Sequence, residues 1–404
     1  MAVVGAWRET VGSNAVQGSA YVFGFNGTSW VQRQRLVADD FQQACRPVRT
    51  AVAIHGTTII TVGAGKQNVP VPTTTTARPY IFVFNGATWV QQAKLVALDT
   101  VAGAGFAAVA LHGDLAVVGA SLGRPGGTGP RTGRAYVFER SGTTWTERAL
   151  DGGDHADGDY FGDSVSVSGT TVCVGARRDT EGGVRTGSAY LFVKSGANWA
   201  LQQKLVPAAG AESDYFGQSC SIDGETVAVG APGEGAGAGG FGGVHVFTRT
   251  GTAWTLQQHL NPAGLPATAA LGSDVALRGD LLVAGAASGG FPRGRVFLRT
   301  CRCRGLDRAA EGRTRPASPT TCSVTTSPRT AKPRSLALRT SLTASAGFVA
   351  IFRRTGHGRC ARAAAEPAAS VLGKSASLGR GTAPIRVQRR RPVTPWWHGR
   401  PAAA

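Results

Sequence analysis

Gly119-Ala120-Ser121-Leu122-Gly123 spells the G-x-S-x-G of a nucleophile elbow, in which a strand-to-helix turn exposes the serine for acyl transfer. The same place in the chain recurs as Gly175-Ala176-Arg177 and Gly230-Ala231-Pro232, each leading into a loop between strands, so Ser121 reads as a loop residue. Gly235, Gly237 and Gly240 fit G-x-G-x-x-G, yet a phosphate cradle needs a helix N-terminus behind it, and Phe241-Gly242-Gly243-Val244 leads straight into a strand. Arg278-Gly279-Asp280 spells a tripeptide that some adhesion receptors read. It stands where other units have His112-Gly113-Asp114 and Asp223-Gly224-Glu225, which makes it turn chemistry.

Histidine and cysteine carry little metal or redox signal in the sequence. The seven histidines are scattered, with His55 and His112 at equivalent turn positions. Before residue 300 the only cysteines are Cys45, Cys173 and Cys220, too few for an extensive disulfide framework, and Cys173 and Cys220 fall on small, strand-borne positions suited to buried thiols. Cys301-Arg302-Cys303 lacks the second ligand pair a zinc site requires. Asn26-Gly27-Thr28 is a glycosylation sequon, which matters in a secreted eukaryotic setting.

The elements that would have to position any such group come from an internal repeat. A Gly-Ala pair closing a β-rich run recurs at Gly5, Gly63, Gly119, Gly175, Gly230 and Gly285, and a tryptophan just past a turn recurs at Trp30, Trp89, Trp145, Trp199 and Trp254. Both markers keep a period of about 55 residues. The clearest unit, Tyr160 to Val206, holds four β-patterned runs: one alternating at period two, one almost wholly apolar, and two flanking a short turn. Radially repeated four-stranded units predict an all-β propeller over residues 1–300, with six recognisable repeats. A β-solenoid is the rival, and its coils are shorter than this period. The turns at Asn26-Gly27, Asn85-Gly86, Ser141-Gly142, Ser195-Gly196 and Thr250-Gly251 predict two-residue hairpins, and each tryptophan is expected to pack on the neighbouring unit.

Tyr160-Phe161-Gly162 and Tyr215-Phe216-Gly217, followed by Gly175-Ala176 and Gly230-Ala231-Pro232, resemble FG-GAP repeats, the blade motif of integrin α-chain propellers. Gly105-Phe106 and Leu271-Gly272 are degenerate forms, and VAIFRRTG from Val349 resembles VHVFTRTG from Val244 as a trace of a seventh repeat. The resemblance implies an extracellular or cell-surface binding scaffold without catalytic residues, for a protein or glycan ligand of unspecified identity. It also directs attention to calcium, which such repeats hold with D-x-D-x-D-G oxygens. The nearest match is Asp154, Asp157 and Asp159, whose spacing departs from that pattern; a solvated turn is the competing reading, and no other cofactor is implied. Binding is expected in the Gly-rich loops after the Gly-Ala pairs, around Arg124, Asp179, Glu181 and Glu234. The alternative of a hydrolase-type site in the central channel would need convergent acids and bases. The strands nearest the axis offer Val, Ala, Ser and Gly.

Composition changes abruptly near Thr300. The formal charge of the chain is +19, and residues 301–404 carry 18 Arg and 2 Lys against Asp307, Glu311 and Glu366, leaving residues 1–300 close to neutral. All six tyrosines precede the boundary. Residues 301–404 therefore read either as a low-order basic tail able to bind nucleic acid through counterion release, densest at Arg389-Arg390-Arg391, or as GC-rich coding sequence translated in a shifted frame. The break inside a repeat, at Phe297-Leu298-Arg299-Thr300, favours the second. No stretch has the apolar length of a membrane span, and Met1 is followed directly by a piece of the repeat, so no secretory signal is readable and the first unit lacks its leading strand.

Overall fold

The computed structural model describes residues 1–6, 9–12, 18–39, 51–64, 77–98, 106–124, 129–235, 241–261, 269–287 and 295–300. The basic segment 301–404, the seventh-repeat trace and Cys45 lie outside the described residues. Within them the protein is all-β, with strands in six antiparallel sheets. The first sheet holds β1 (Ala2–Ala6), β2 (Ser19–Phe25) and β3 (Trp30–Leu36); the second β4 (Val52–His55), β5 (Thr58–Ala64), β6 (Ala77–Phe84) and β7 (Trp89–Lys94); the third β8 (Phe106–His112), β9 (Leu115–Ala120), β10 (Arg134–Ser141) and β11 (Thr144–Leu150). The fourth holds β12 (Phe161–Ser168), β13 (Thr171–Ala176), β14 (Ser188–Ser195) and β15 (Asn198–Leu205); the fifth β16 (Ser219–Asp223), β17 (Thr226–Ala231), β18 (Gly243–Thr250) and β19 (Ala253–Leu260); the sixth β20 (Leu271–Arg278), β21 (Leu281–Ala286) and β22 (Arg295–Thr300).

Each sheet is a meander, and β4, β8, β12, β16 and β20 pack in succession as the inner strands of neighbouring sheets. These are β-propeller blades. The strand patterns follow from that stacking. In β13, TVCVGA is buried at every position because neighbouring sheets cover both faces. The outer β15, NWALQQKL, is exposed or half-buried along its length and buries only Leu205. The apolar clusters lie between sheets: Leu150, Phe161, Val174 and Tyr190 bridge the third and fourth, while Leu191, Phe216, Val229 and Trp254 bridge the fourth and fifth.

The Phe-Gly and Gly-Ala markers meet at the joints between blades. A Cβ placed on Gly175 would fall 1.9 Å from the carbonyl oxygen of Gly217 in the next blade. Gly217 has φ +87°, and a Cβ there would lie 2.1 Å from the oxygen of Ser188. Backbone passes against backbone, and the Phe216 N–H donates to the Thr186 carbonyl at 2.9 Å. Gly119 against Gly162 and Gly230 against Gly272 repeat the contact. A serine hydroxyl adds to two of these joints: Ser164 Oγ donates to the Gly217 oxygen at 2.9 Å, and Ser219 Oγ to that of Gly272 at 2.7 Å.

The tryptophans act at the opposite ends of the strands; Trp89, Trp145, Trp199 and Trp254 pack on the preceding blade as expected, whereas Trp30 of the first blade is exposed. Trp254 is buried; its indole Nε1 donates to Gln202 Oε1 at 2.8 Å, and its backbone exchanges two hydrogen bonds with the Gln203 amide. Trp199 and Trp145, half-buried, donate to Glu139 and Gln92 of the blade before. The Asn-Gly turns differ from expectation. Phe84 pairs with Trp89, so Asn85–Thr88 is a four-residue loop whose Asn85 side chain accepts from the Ala87 and Thr88 N–H groups; Asn26 does the same for Thr28 and Ser29. Two-residue loops occur in the next three blades, with Gly142, Gly196 and Gly251 first in the loop at positive φ.

Candidate functional site: the loop face of the fourth and fifth blades

Two kinds of loop share one face of the molecule: those entering a blade (151–160 before β12, 206–218 before β16) and those leaving its second strand (177–187 after β13, 232–235 after β17). They are tied together by backbone. Arg178 N–H donates to the Asp159 carbonyl at 3.2 Å, and Gly233 N–H to that of Asp214 at 3.0 Å. Tyr160 and Tyr215, ahead of the Phe-Gly pairs, take positive φ of 59° and 56°. The guanidinium groups of Arg177 and Arg178 cover the Tyr160 ring at 5.0 and 5.2 Å from its centroid.

Lys204 is the centre of the fourth blade's cluster. From the outer strand β15 its ammonium reaches Asp154 at 2.5 Å, Asp179 at 2.9 Å and Glu181 at 3.0 Å. Tyr190, opposite it on β14, places its hydroxyl 2.8 Å from both Asp154 and Asp179. That hydroxyl has one proton and serves one carboxylate at a time, while the ammonium binds all three and balances one of their charges, so the cluster stays anionic. Burial opposes the Lys204 charge, but its bonds to Asp154, Asp179 and Glu181 outweigh this and raise its pKa. Burial alone would raise that of Asp154; the bonds from Lys204 and Tyr190 prevail and lower it. Burial first, then the Asp179 charge, raises the Tyr190 phenol. The His155 ring packs tilted against Phe161, centroids 4.1 Å apart, and accepts from the Gly152 N–H at 2.9 Å; burial lowers its pKa.

Of the residues singled out from sequence, Asp154, Asp179 and Glu181 meet on Lys204. Asp157 instead accepts from the Arg131 N–H at 2.6 Å, and the buried Asp159 accepts from the Ala156 N–H at 2.5 Å, its carboxyl pushed by burial to about 6. Asp214 repeats the Asp159 bond in the next blade, on the Ala211 N–H at 2.7 Å. Arg124 stands apart and holds the Gly129 carbonyl. Ser121 is buried in a turn closed by Gly123 on Ala120, with no helix following it among the described residues. Arg278-Gly279-Asp280 is a turn whose Arg278 side chain and Gly279 N–H bind Asp223. Cys173 and Cys220 are buried free thiols.

Glu234 has its own cluster, which sequence reasoning missed. It occupies in the fifth blade the place of Asp179, four residues past the glycine of Gly-Ala, and faces His245 on β18 and His259 on β19. His245 and His259 are paired in register as Tyr190 and Lys204 are. Their rings stack at 4.3 Å with planes 17° apart, and both Nε2 atoms approach the carboxylate. Burial alone would raise Glu234; the hydrogen bonds from the two histidines hold it at about 2, and Glu234 in turn raises His259. The first blade repeats the arrangement with Glu9, Tyr21 and Arg35. A signal was present in the repeat register: residues ahead of Leu36, Leu95, Leu205 and Leu260 are Arg35, Lys94, Lys204 and His259.

Residues 89–138, 145–192 and 199–247 each match the family model described as the FG-GAP repeat. Each match runs from a tryptophan opening an outer strand to the phenylalanine on the third strand of the following blade, and so straddles a joint. The chain matches none of the curated proteins.

Proposed function

Because residues 89–247 are a run of FG-GAP repeats, we propose that this chain is a non-catalytic binding scaffold of the extracellular or cell-surface kind, which recognises a protein or glycan through the loop face of its fourth and fifth blades. One observation carries the reading. The polar side chains of the fourth-blade cluster engage one another: Lys204 is neutralised by Asp154, Asp179 and Glu181, and the Tyr190 hydroxyl lies on two of the same acids. Such a network leaves no activated nucleophile or base, while it fixes the loops in one shape and so reduces the ordering cost of binding. Glu181 and Asp154 remain open to solvent, with side chains 50 % and 45 % exposed.

The test is a screen of the full chain against arrayed glycans and extracellular protein domains, repeated with Glu181→Arg and with Thr143→Arg on an exposed hairpin tip at the other end of the strands. The reading predicts a binder lost with Glu181→Arg and kept with Thr143→Arg. A binder that ignores Glu181→Arg, or hydrolase turnover abolished by it, overturns the reading.

A further inference from the structure

The carboxylate, third-strand and fourth-strand positions form the same triangle in three blades, but its chemistry changes in the fifth. In the first and fourth blades the triangle is closed by a neutral phenol, a weak metal ligand while it holds its proton, and by a cation with no lone pair to offer, Tyr21 with Arg35 and Tyr190 with Lys204. In the fifth both are imidazoles. His245 Nε2 lies 3.0 Å from Glu234 Oε2, and His259 Nε2 lies 3.0 and 3.2 Å from the two carboxylate oxygens. One ligand atom from each of the three residues falls within 4.8 Å of the others. Ligand atoms around a tetrahedral zinc ion at ordinary bond lengths stand ~3.3 Å apart, so the two nitrogen–carboxylate separations already fit to within a few tenths of an ångström, and the two imidazoles close on the ion from within the same 4.8 Å.

A second observation is independent of the ligands. The position two residues ahead of the third-strand member is Ser19, Arg134 and Ser188 in the first, third and fourth blades, and Gly243 in the fifth. A Cβ on Gly243 would lie 2.3 Å from Glu234 Oε2 and 2.7 Å from His259 Nε2. The fifth blade therefore keeps clear the space in front of its ligand atoms. In the first blade the equivalent Ser19 hydroxyl occupies that space and hydrogen-bonds Glu9.

We propose that Glu234, His245 and His259 form a binding site for a divalent transition-metal ion of the zinc(II) class. Two imidazoles and one carboxylate match that class in ligand softness, whereas calcium prefers an all-oxygen shell. His245 is buried and fixes one ligand, while the His259 side chain, 34 % exposed, leaves a side open. Water or an anionic group of a bound partner completes the coordination there. This site goes beyond the scaffold reading and does not depend on it, because metal binding is read without any partner.

The experiment titrates chelator-treated full chain with Co²⁺, following the visible d–d bands, and then displaces it with Zn²⁺. The expected result is saturation at one equivalent, without the near-ultraviolet charge transfer that cysteine thiolates give, and loss of the bands on adding Zn²⁺. His245→Tyr with His259→Lys writes the fourth blade's triangle into the fifth and should fold with wild-type circular dichroism yet give no bands. Gly243→Ser, which refills the space, and the exposed His259→Ala should each weaken binding by about tenfold or more. Absence of saturable Co²⁺ binding in folded wild type overturns the proposal. So does undiminished binding in His259→Ala, or a thiolate band that places the ion on cysteine.

Discussion

Adding a single methyl group at Gly175 should cost more than adding one at Gly169, although Gly169 has the less permissive backbone. Gly169 sits in the turn between β12 and β13 at φ +57°, with no atom within 4 Å of a Cβ; alanine there bears only the left-handed penalty, ~1–2 kcal/mol. Gly175 lies outside the left-handed region, but its Cβ would fall 1.9 Å from the Gly217 oxygen and 2.4 Å from Ser164 Oγ. The serine can rotate away, whereas the carbonyl belongs to the joint backbone and can yield only by moving the fifth blade. Forcing a methyl into a packed interior costs ~1–3 kcal/mol when side chains can adjust, so a rigid backbone contact puts Gly175→Ala at or above ~3 kcal/mol. Gly217→Ala combines clash and positive φ and should be the worst of the three. Urea unfolding followed by tryptophan fluorescence, with a common slope, gives the three differences. If Gly175→Ala stays within ~0.5 kcal/mol of wild type, or falls below Gly169→Ala, the joint is not the rigid contact described.

Trp254→Ala should cost ~3–5 kcal/mol and Trp199→Ala somewhat less, whereas Trp30→Ala, at an exposed site, should cost under ~1; thermal melts rank them. Lys204→Met leaves the buried Asp179 without its cation and should destabilise by ~1–3 kcal/mol, discounted because the lysine side chain is 20 % exposed, and Asp179→Asn in the same chain should recover part of it in a double-mutant cycle. Asp274 stands where the two preceding blades have Ser164 and Ser219, and burial pushes its carboxyl to about 7. A folded pKa raised above the unfolded value stabilises fully at low pH and loses that contribution as pH rises through about 7. Asp274→Ser should therefore gain relative to wild type between about pH 5 and pH 8 in urea midpoints; parallel midpoint curves refute the assignment.

The repeat was legible in the sequence because its steric demands fix residue types. Gly175, Gly217 and their equivalents sit where no side chain fits, and Trp145, Trp199 and Trp254 each reach a partner one blade back, so both markers recur at one spacing. Hairpin geometry was less legible, because Asn-Gly can close a turn by its backbone or, as Asn85 does, by its side chain. The polar triangle was hidden for a different reason. Its positions conserve geometry and not chemistry, passing from Glu9, Tyr21 and Arg35 through Asp179, Tyr190 and Lys204 to Glu234, His245 and His259. Asp179 and Glu234 could be picked out as loop acids, but their partners lie on the next two strands, where Tyr190 reads as core and Lys204 as solvated surface.

The two kinds of contact between neighbouring blades lie at opposite ends of the strands: the bare backbone crossing of Gly175 with Gly217, and the clasp of Gln203 on Trp254. A plate pinned at one point can rock, but a plate pinned at two distant points keeps only a twist about the line between them, which the apolar filling of Leu191, Phe216 and Val229 resists. Adjacent blades thus behave as a frame with almost no rocking freedom. The distance between the Lys204 cluster and the Glu234 cluster then acts as a fixed gauge, so a partner spanning both blades would be selected by its length as well as by its charge.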